Sequence, residues 1–132
     1  MKFHKEIDIN CEREKLWKLI INFDRVPEFW HGTRRIEPHG EYYEVQFAFP
    51  GKGKMYPIIN NKDFTLQEVY RGGPFKGTKT AQISGSDILT LTSEWNIKLT
   101  TILVPFQFKL QQHFEKGTEE ALERIKKYME AS

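Results

Sequence analysis

The side chains best suited to moving protons in this sequence are His113, Glu68 and Tyr43. His113 lies three residues after Leu110 and next to Phe114, so on a helix its ring sits beside their apolar stripe, either reaching what the stripe faces or half-solvated at its edge. Glu68 alternates in phase with Phe64, Leu66 and Tyr70, and on a strand it shares their face. A carboxylate on an apolar face has a raised pKa and can serve as a general acid or base; the alternative is a strand-end glutamate bent toward water. Glu37, His39 and Glu41 alternate, but Pro38 and Gly40 break the strand there and no spaced second pair completes a metal set. The other histidines, His4 and His31, add no ligand spacing, so neither a metal nor a cofactor is expected. Gly51, Lys52, Gly53 and Lys54 lack the spacing and the hydroxyl residue of a phosphate loop and read as a hairpin between strands. Cys11 falls near the start of a helix, where the dipole can lower a thiol pKa, without a histidine neighbour to mark a nucleophile.

The elements that must position these groups follow from periodicity. Phe3 to Asn10 alternates as a half-buried strand. Asn10 is placed to cap a helix carrying Leu16, Trp17, Ile20, Ile21 and Phe23 and ending near Asp24. Val26 and Pro27 open a second short helix that closes with Phe29 and Trp30 and ends at Gly32. Strands are predicted over Thr33 to Pro38, Tyr42 to Phe49, Met55 to Ile59, Phe64 to Tyr70, Lys79 to Ile83 and Ile88 to Leu99, with turns at His39 and Gly40, Pro50 to Lys54, Asn60 to Asp63, Arg71 to Gly77 and Ser84 to Asp87. The glycine-rich turn carrying Phe75 could also be a mobile gate. In the last strand Leu89, Leu91, Trp95, Ile97 and Leu99 face one way and Thr90, Thr92, Glu94, Asn96 and Lys98 the other, the signature of an antiparallel sheet covered on one side. The cover is a helix of about seven turns whose apolar stripe runs from Leu103 through Phe106, Leu110, Phe114, Ala121, Leu122 and Ile125 to Tyr128. Gly117 in its middle costs about 1 kcal/mol against alanine and suggests close backbone approach or a bend.

The whole 132-residue chain is expected to be a single domain (1–132) with its own core. One cysteine permits no internal disulfide, which favours a reducing compartment. The opening residues lack the apolar run of a signal peptide, and no stretch approaches a membrane span, so a cytoplasmic location is expected. Twenty basic residues against 18 acidic ones leave a formal charge of +2, which indicates neither nucleic acid nor an anionic membrane as partner. Aromatic residues make up 14% of the chain, ten of them Phe, more than a core of this size needs for volume alone. The surplus is available to line a pocket.

The order strand, two short helices, five or six antiparallel strands and long terminal helix resembles the START-like helix-grip superfamily of polyketide cyclases, lipid-transfer domains and birch-pollen-type allergens. The stretch Cys11 to Trp30 is similar to that family's opening, with Leu16 and Trp17 ahead of Phe23, Asp24, Pro27 and Trp30. The closing Leu122, Ile125, Lys126, Lys127 and Glu130 resemble its last helix. The resemblance implies an α+β helix-grip fold: a curved antiparallel sheet of six to seven strands wrapped on a long C-terminal helix, with two short helices after the first strand. It further implies a cavity between sheet and helix, with Trp30 at its mouth and Trp17 as a core anchor. Such a pocket would be lined by Tyr43, Val45, Phe47, Leu91, Trp95, Phe106 and Leu110, unless these side chains simply pack together.

Fold does not fix function. Three readings follow: a carrier that binds a small hydrophobic molecule such as a lipid, polyketide-like or aromatic metabolite; a cyclase or dehydratase using His113, Glu68 or Tyr43 for proton transfer; or a protein-interaction module with an exposed apolar patch in place of a cavity. A dry cavity favours the first, converging polar groups the second, and a filled core with a surface patch the third.

Overall fold

The computed structural model describes residues 1–49 and 51–132; the predicted turn at Pro50 therefore lies partly outside the described residues. Strand β1 (Lys2–Ile9) leads to α1 (Arg13–Ile20), a 3-10 turn (Phe23–Arg25) and α2 (Val26–Phe29). Six strands follow: β2 (Thr33–His39), β3 (Tyr42–Phe47), β4 (Lys52–Asn60), β5 (Thr65–Arg71), β6 (Phe75–Gly85) and β7 (Leu89–Leu99). A 3-10 segment (Thr101–Phe106) then feeds α3 (Gln107–Glu130). The seven strands form one antiparallel sheet in the order β1-β7-β6-β5-β4-β3-β2.

Alternation decides which face of the sheet is dry. In β7 every odd residue from Leu89 to Leu99 is buried, including Ser93. The inner face is covered by α3 through Phe114, Thr118, Ala121, Leu122, Ile125 and Met129, which recur at three or four residues. The Phe114 ring meets Trp95 of β7 at 5.5 Å, Phe75 of β6 at 5.9 Å and Phe49, just beyond β3, at 5.9 Å. In a flat sheet β3 and β7 would stand about 19 Å apart, so the sheet must curl around the helix.

Polar ties hold the C-terminal half of α3. Arg124 donates to the Phe29 carbonyl at 2.9 Å, and Lys126 to the Asp8 carbonyl at 2.5 Å. The Asn10 backbone N–H donates to the Glu130 carboxylate at 2.9 Å. Asn10 is thus not the helix cap expected of it: α1 starts at Arg13, with Glu12 in the capping position and no side-chain cap. That helix also ends earlier than predicted, because Asn22 leaves helical torsions (φ −88°, ψ 88°) and Phe23 enters the core from the 3-10 turn.

Two turns are shorter than the glycines suggested. Lys52 to Lys54 belong to β4, and Phe75 to Gly77 belong to β6. Gly73 (φ +73°) makes the real turn, where a Cβ would collide with the Lys52 carbonyl. Gly77 (φ +136°) is a strand residue whose missing side chain lets the β7 backbone at Asn96 approach. Lengthening β6 in this way places Lys79 in mid-strand.

Candidate functional site

The register sets a row of side chains across the inner face. Glu68 of β5 lies opposite Lys79 of β6, Lys79 opposite Trp95 of β7, and Trp95 opposite Phe3 of β1. Because paired residues in antiparallel strands share a face, all four point inward. Phe3 stacks on Trp95 at 5.4 Å, and Lys79 Nζ stands 3.7 Å from Glu68 Oε1. From the loop after α2, Trp30 closes over the lysine with its ring centroid 3.1 Å from Nζ, while Trp95 lies 5.1 Å away on another side. An ammonium between two indoles is held by their negative ring faces.

Both charged groups are 7% exposed. Burial pulls Lys79 down to about 8, against the pull of Glu68. Burial likewise pushes Glu68 up, against Lys79. Tyr70, two residues on and also buried, is driven well above the usual phenol range by burial and then by the charge of Glu68. A buried pair of this kind gives little net stability, because desolvation consumes most of the Coulombic gain. Close to it, the Ser93 hydroxyl and the Trp95 indole N–H are buried with no hydrogen-bond partner among the described residues. Native structures satisfy most such atoms, so the row holds hydrogen-bonding capacity that the protein itself does not use.

Above the row lies a cavity of about 340 Å³. Its walls are Trp30, Phe47, Phe49, Tyr70, Phe75, Trp95 and Phe114, with Lys79 among them; His31 to Thr33 and, on α3, His113, Lys116, Gly117 and Thr118 border it on other sides. A second, inner space of about 40 Å³ shares Trp30 and Lys79 and is bounded by Glu68, Leu91, Ser93 and Leu122. Gly117 is part of the larger wall, and a Cβ there would meet nothing within 4 Å. The close approach expected at this glycine is absent; it leaves space instead.

The structure sorts the residues named from sequence. Trp30, Phe47 and Trp95 border the cavity, and Leu91 borders the inner space. His113 is exposed on the rim, and Glu68 points inward to Lys79 instead of bending toward water. Val45 is sealed in the core, and Tyr43 packs its ring on Phe23 at 4.8 Å; neither borders the cavity. Leu110 is half-buried against the core, outside the cavity wall. Phe106 is 57% exposed, because Thr101–Phe106 winds as a 3-10 segment at three residues per turn and the predicted stripe loses phase.

Lys79 was missed as a site residue, and so were Tyr70, Phe75 and Phe114. A lysine in phase with Phe75, Ala81 and Ile83 was the available signal, hidden by reading Arg71 to Gly77 as a turn. Away from the cavity, burial and then Glu130 and Glu12 push the Cys11 thiol up, opposite to the expected dipole effect. Pro38 does not break the strand as expected: Glu37 and His39 lie in the edge strand β2, where Glu37 pairs with Arg35 at 2.6 Å and His39 stacks on Tyr42 at 5.7 Å.

No protein-family model matches the chain, and no curated protein matches it in sequence. Solved structures do match in shape. A START superfamily protein from Mycobacterium smegmatis superposes with a TM-score of 0.76 at 13% identity, over 96% of this chain and 97% of that one. The Zhui aromatase/cyclase from Streptomyces sp. R1128 gives 0.76 at 11% identity, over 98% and 93%. Norcoclaurine synthase from Thalictrum flavum gives 0.64 at 15% identity, over 97% and 95%. The chain has the START-like helix-grip fold that the sequence resemblance implied. Among the described residues, no helix is long and apolar enough to cross a membrane.

Proposed function

We propose that this protein binds one small, mainly aromatic or apolar molecule in the cavity beneath α3, with an oxygen acceptor of that molecule directed at Lys79. The observation that carries the reading is an aromatic-walled cavity of about 340 Å³ with a buried ammonium in its wall. Apolar area supplies the affinity, and a few placed polar groups orient the ligand. The volume is near the lower end of small-molecule sites, roughly 300–1,000 Å³, which favours a single ring system or short chain over a two-chain lipid.

A second reading is favoured by one feature, the pairing of Lys79 in the cavity wall with Glu68, which borders the adjoining inner space. In that reading the protein is an enzyme of the cyclase or dehydratase kind, in line with the aromatase/cyclase named among its structural neighbours. The Lys79 ammonium would donate a hydrogen bond to a substrate carbonyl oxygen and stabilise the enolate. Glu68 would accept the proton lost from the adjacent carbon.

Native mass spectrometry beside a denatured control tests the first reading. A small molecule released in stoichiometric amount on unfolding supports binding. No release, together with no rise in melting temperature for aromatic ketones or fatty acids, rejects it. If a ligand is found, Trp95→Asp and Phe47→Asp should abolish its uptake, and Glu94→Ala on the outer face should leave it unchanged. The enzymatic reading fails if a bound carbonyl compound exchanges no carbon-bound proton with deuterated water, or does so equally in Glu68→Gln.

A further inference from the structure

We propose that the end of the molecule where β7 passes into α3 docks on an anionic lipid surface. Ile102 is 80% exposed and Phe108 77%, with Val104 and Phe106 also open to solvent. Four large apolar side chains within seven residues thus stand in water on one short segment, while its Leu103 and Leu110 pack against the core, and they make this end of the molecule an apolar ridge.

The charge around this ridge is one-sided, although the chain as a whole is nearly neutral. Antiparallel pairing brings the β3–β4 turn, the β5–β6 turn and the end of β7 to the same edge of the sheet. The segments feeding that edge, residues 45–62, 69–86 and 95–114, contain no aspartate or glutamate. They present exposed Lys52, Arg71, Lys76, Lys98 and Lys109. The carboxylate nearest in register is Glu44, which stands 3.6 Å from Lys52. Lys76 and Lys98 face each other directly across β6 and β7. Like charges so placed are destabilising, and among the described residues neither they nor Lys109 has a carboxylate within ion-pair distance.

Apolar side chains flanked by lysines suit a membrane interface, where the rings enter the headgroup boundary and the ammonium groups reach lipid phosphates. A second copy of the chain is a poor occupant, because a two-fold contact would set this cationic rim against itself. The placement also serves the cavity. Phe108 precedes His113 on the cavity rim by five residues of α3, about 7.5 Å along the axis. Docking would hold the rim near the apolar phase in which a hydrophobic ligand dissolves. The surface itself does not depend on the identity of that ligand.

Co-sedimentation of the full chain with vesicles of phosphatidylcholine alone, or of equal parts phosphatidylcholine and phosphatidylglycerol, tests the proposal. Binding is expected to the phosphatidylglycerol vesicles and to weaken with salt. The double variant Ile102→Ser, Phe108→Ser should bind roughly tenfold or more weakly, with an unchanged melting temperature because both side chains are already in water. Lys98→Gln with Lys109→Gln should weaken binding to the anionic vesicles selectively. Failure to bind either vesicle, or equal binding by the apolar double variant, overturns the proposal. So does a dimer in light scattering that Phe108→Ser dissociates, since the ridge would then be a contact between copies.

Discussion

The interior of this molecule has two halves built from different materials. Toward the end where β1 enters α1, the core is aliphatic: Ile9, Leu16, Leu89, Leu91, Leu122 and Ile125 are buried and pack densely, leaving about 40 Å³ beside the ion pair. Toward the opposite end the inner face carries rings, Phe47, Tyr70, Phe75, Trp95 and Phe114, and the space among them is about 340 Å³. Branched aliphatic chains interdigitate to crystal-like density, whereas flat rings held on a curled sheet at angles from 19° (Trp95 on Phe114) to 68° (Phe75 on Phe114) meet at a few points and leave a gap. The aromatic excess in the composition is accounted for by this second half. The filled half holds the fold together, and the charged pair lies at the seam, Lys79 bordering both spaces and Glu68 the inner one.

The largest test of this contrast truncates one side chain in each half. Leu16 is fully buried and borders neither space. Leu16→Ala should cost about 2–5 kcal/mol in urea unfolding, through lost transfer energy and a new void. Phe49→Leu, at a wall that already faces open space, should cost less than about 1.5 kcal/mol. Equal losses at the two sites would mean that the halves are packed alike.

A second test is the pH dependence that the hollow half imposes. Lys79 is pulled from 10.5 in the unfolded chain to about 8 in the folded one, so between these values the unfolded state binds more protons and stability must rise with pH. Below about 8 the lysine is charged in both states and the penalty of burying it is fully present. Unfolding free energy should increase by up to about 2 kcal/mol between pH 8 and pH 10. Above that window Tyr70, whose folded pKa is raised, works in the opposite direction. Lys79→Met should flatten the rise; a rise of the same size in that variant would assign it to another group.

The filled half was the easier to read in the sequence. Alternation through β7 and the apolar stripe from Phe114 to Ile125 identify sheet face and helix face without ambiguity, since burying one side is the dominant constraint on both. The hollow half was legible only in part. The phase of Glu68 offered the inner face but did not decide it against a bend toward water, and its partner was hidden because three glycines and a proline ahead of Lys79 carry the composition of a loop. What keeps Gly77 in the strand is the nearness of the β7 backbone, a tertiary fact with no local mark. Phe106 went astray for a different reason, whereas Leu110, inside α3, keeps the phase of the stripe and packs on the core outside the cavity wall. A period of 3.6 was extended backward through a segment that winds at three residues per turn, with Pro105 inside it and α3 proper starting only at Gln107.

The smallest expected effect separates a glycine kept for packing from one kept for space. If Gly117 were required by a close neighbour, any side chain there would destabilise the helix. The position instead faces open space in the cavity wall. Gly117→Ala should therefore stabilise the protein by roughly 0.5–1 kcal/mol, the ordinary helix-propensity difference, and raise its melting temperature. Gly117→Leu should keep most of that gain while its longer side chain occupies the entrance and weakens ligand uptake. A destabilised Gly117→Ala would point to a bend in α3 that the glycine permits. Higher stability with weaker uptake in the leucine variant would identify the residue as one that forgoes helix stability to keep the hollow half open.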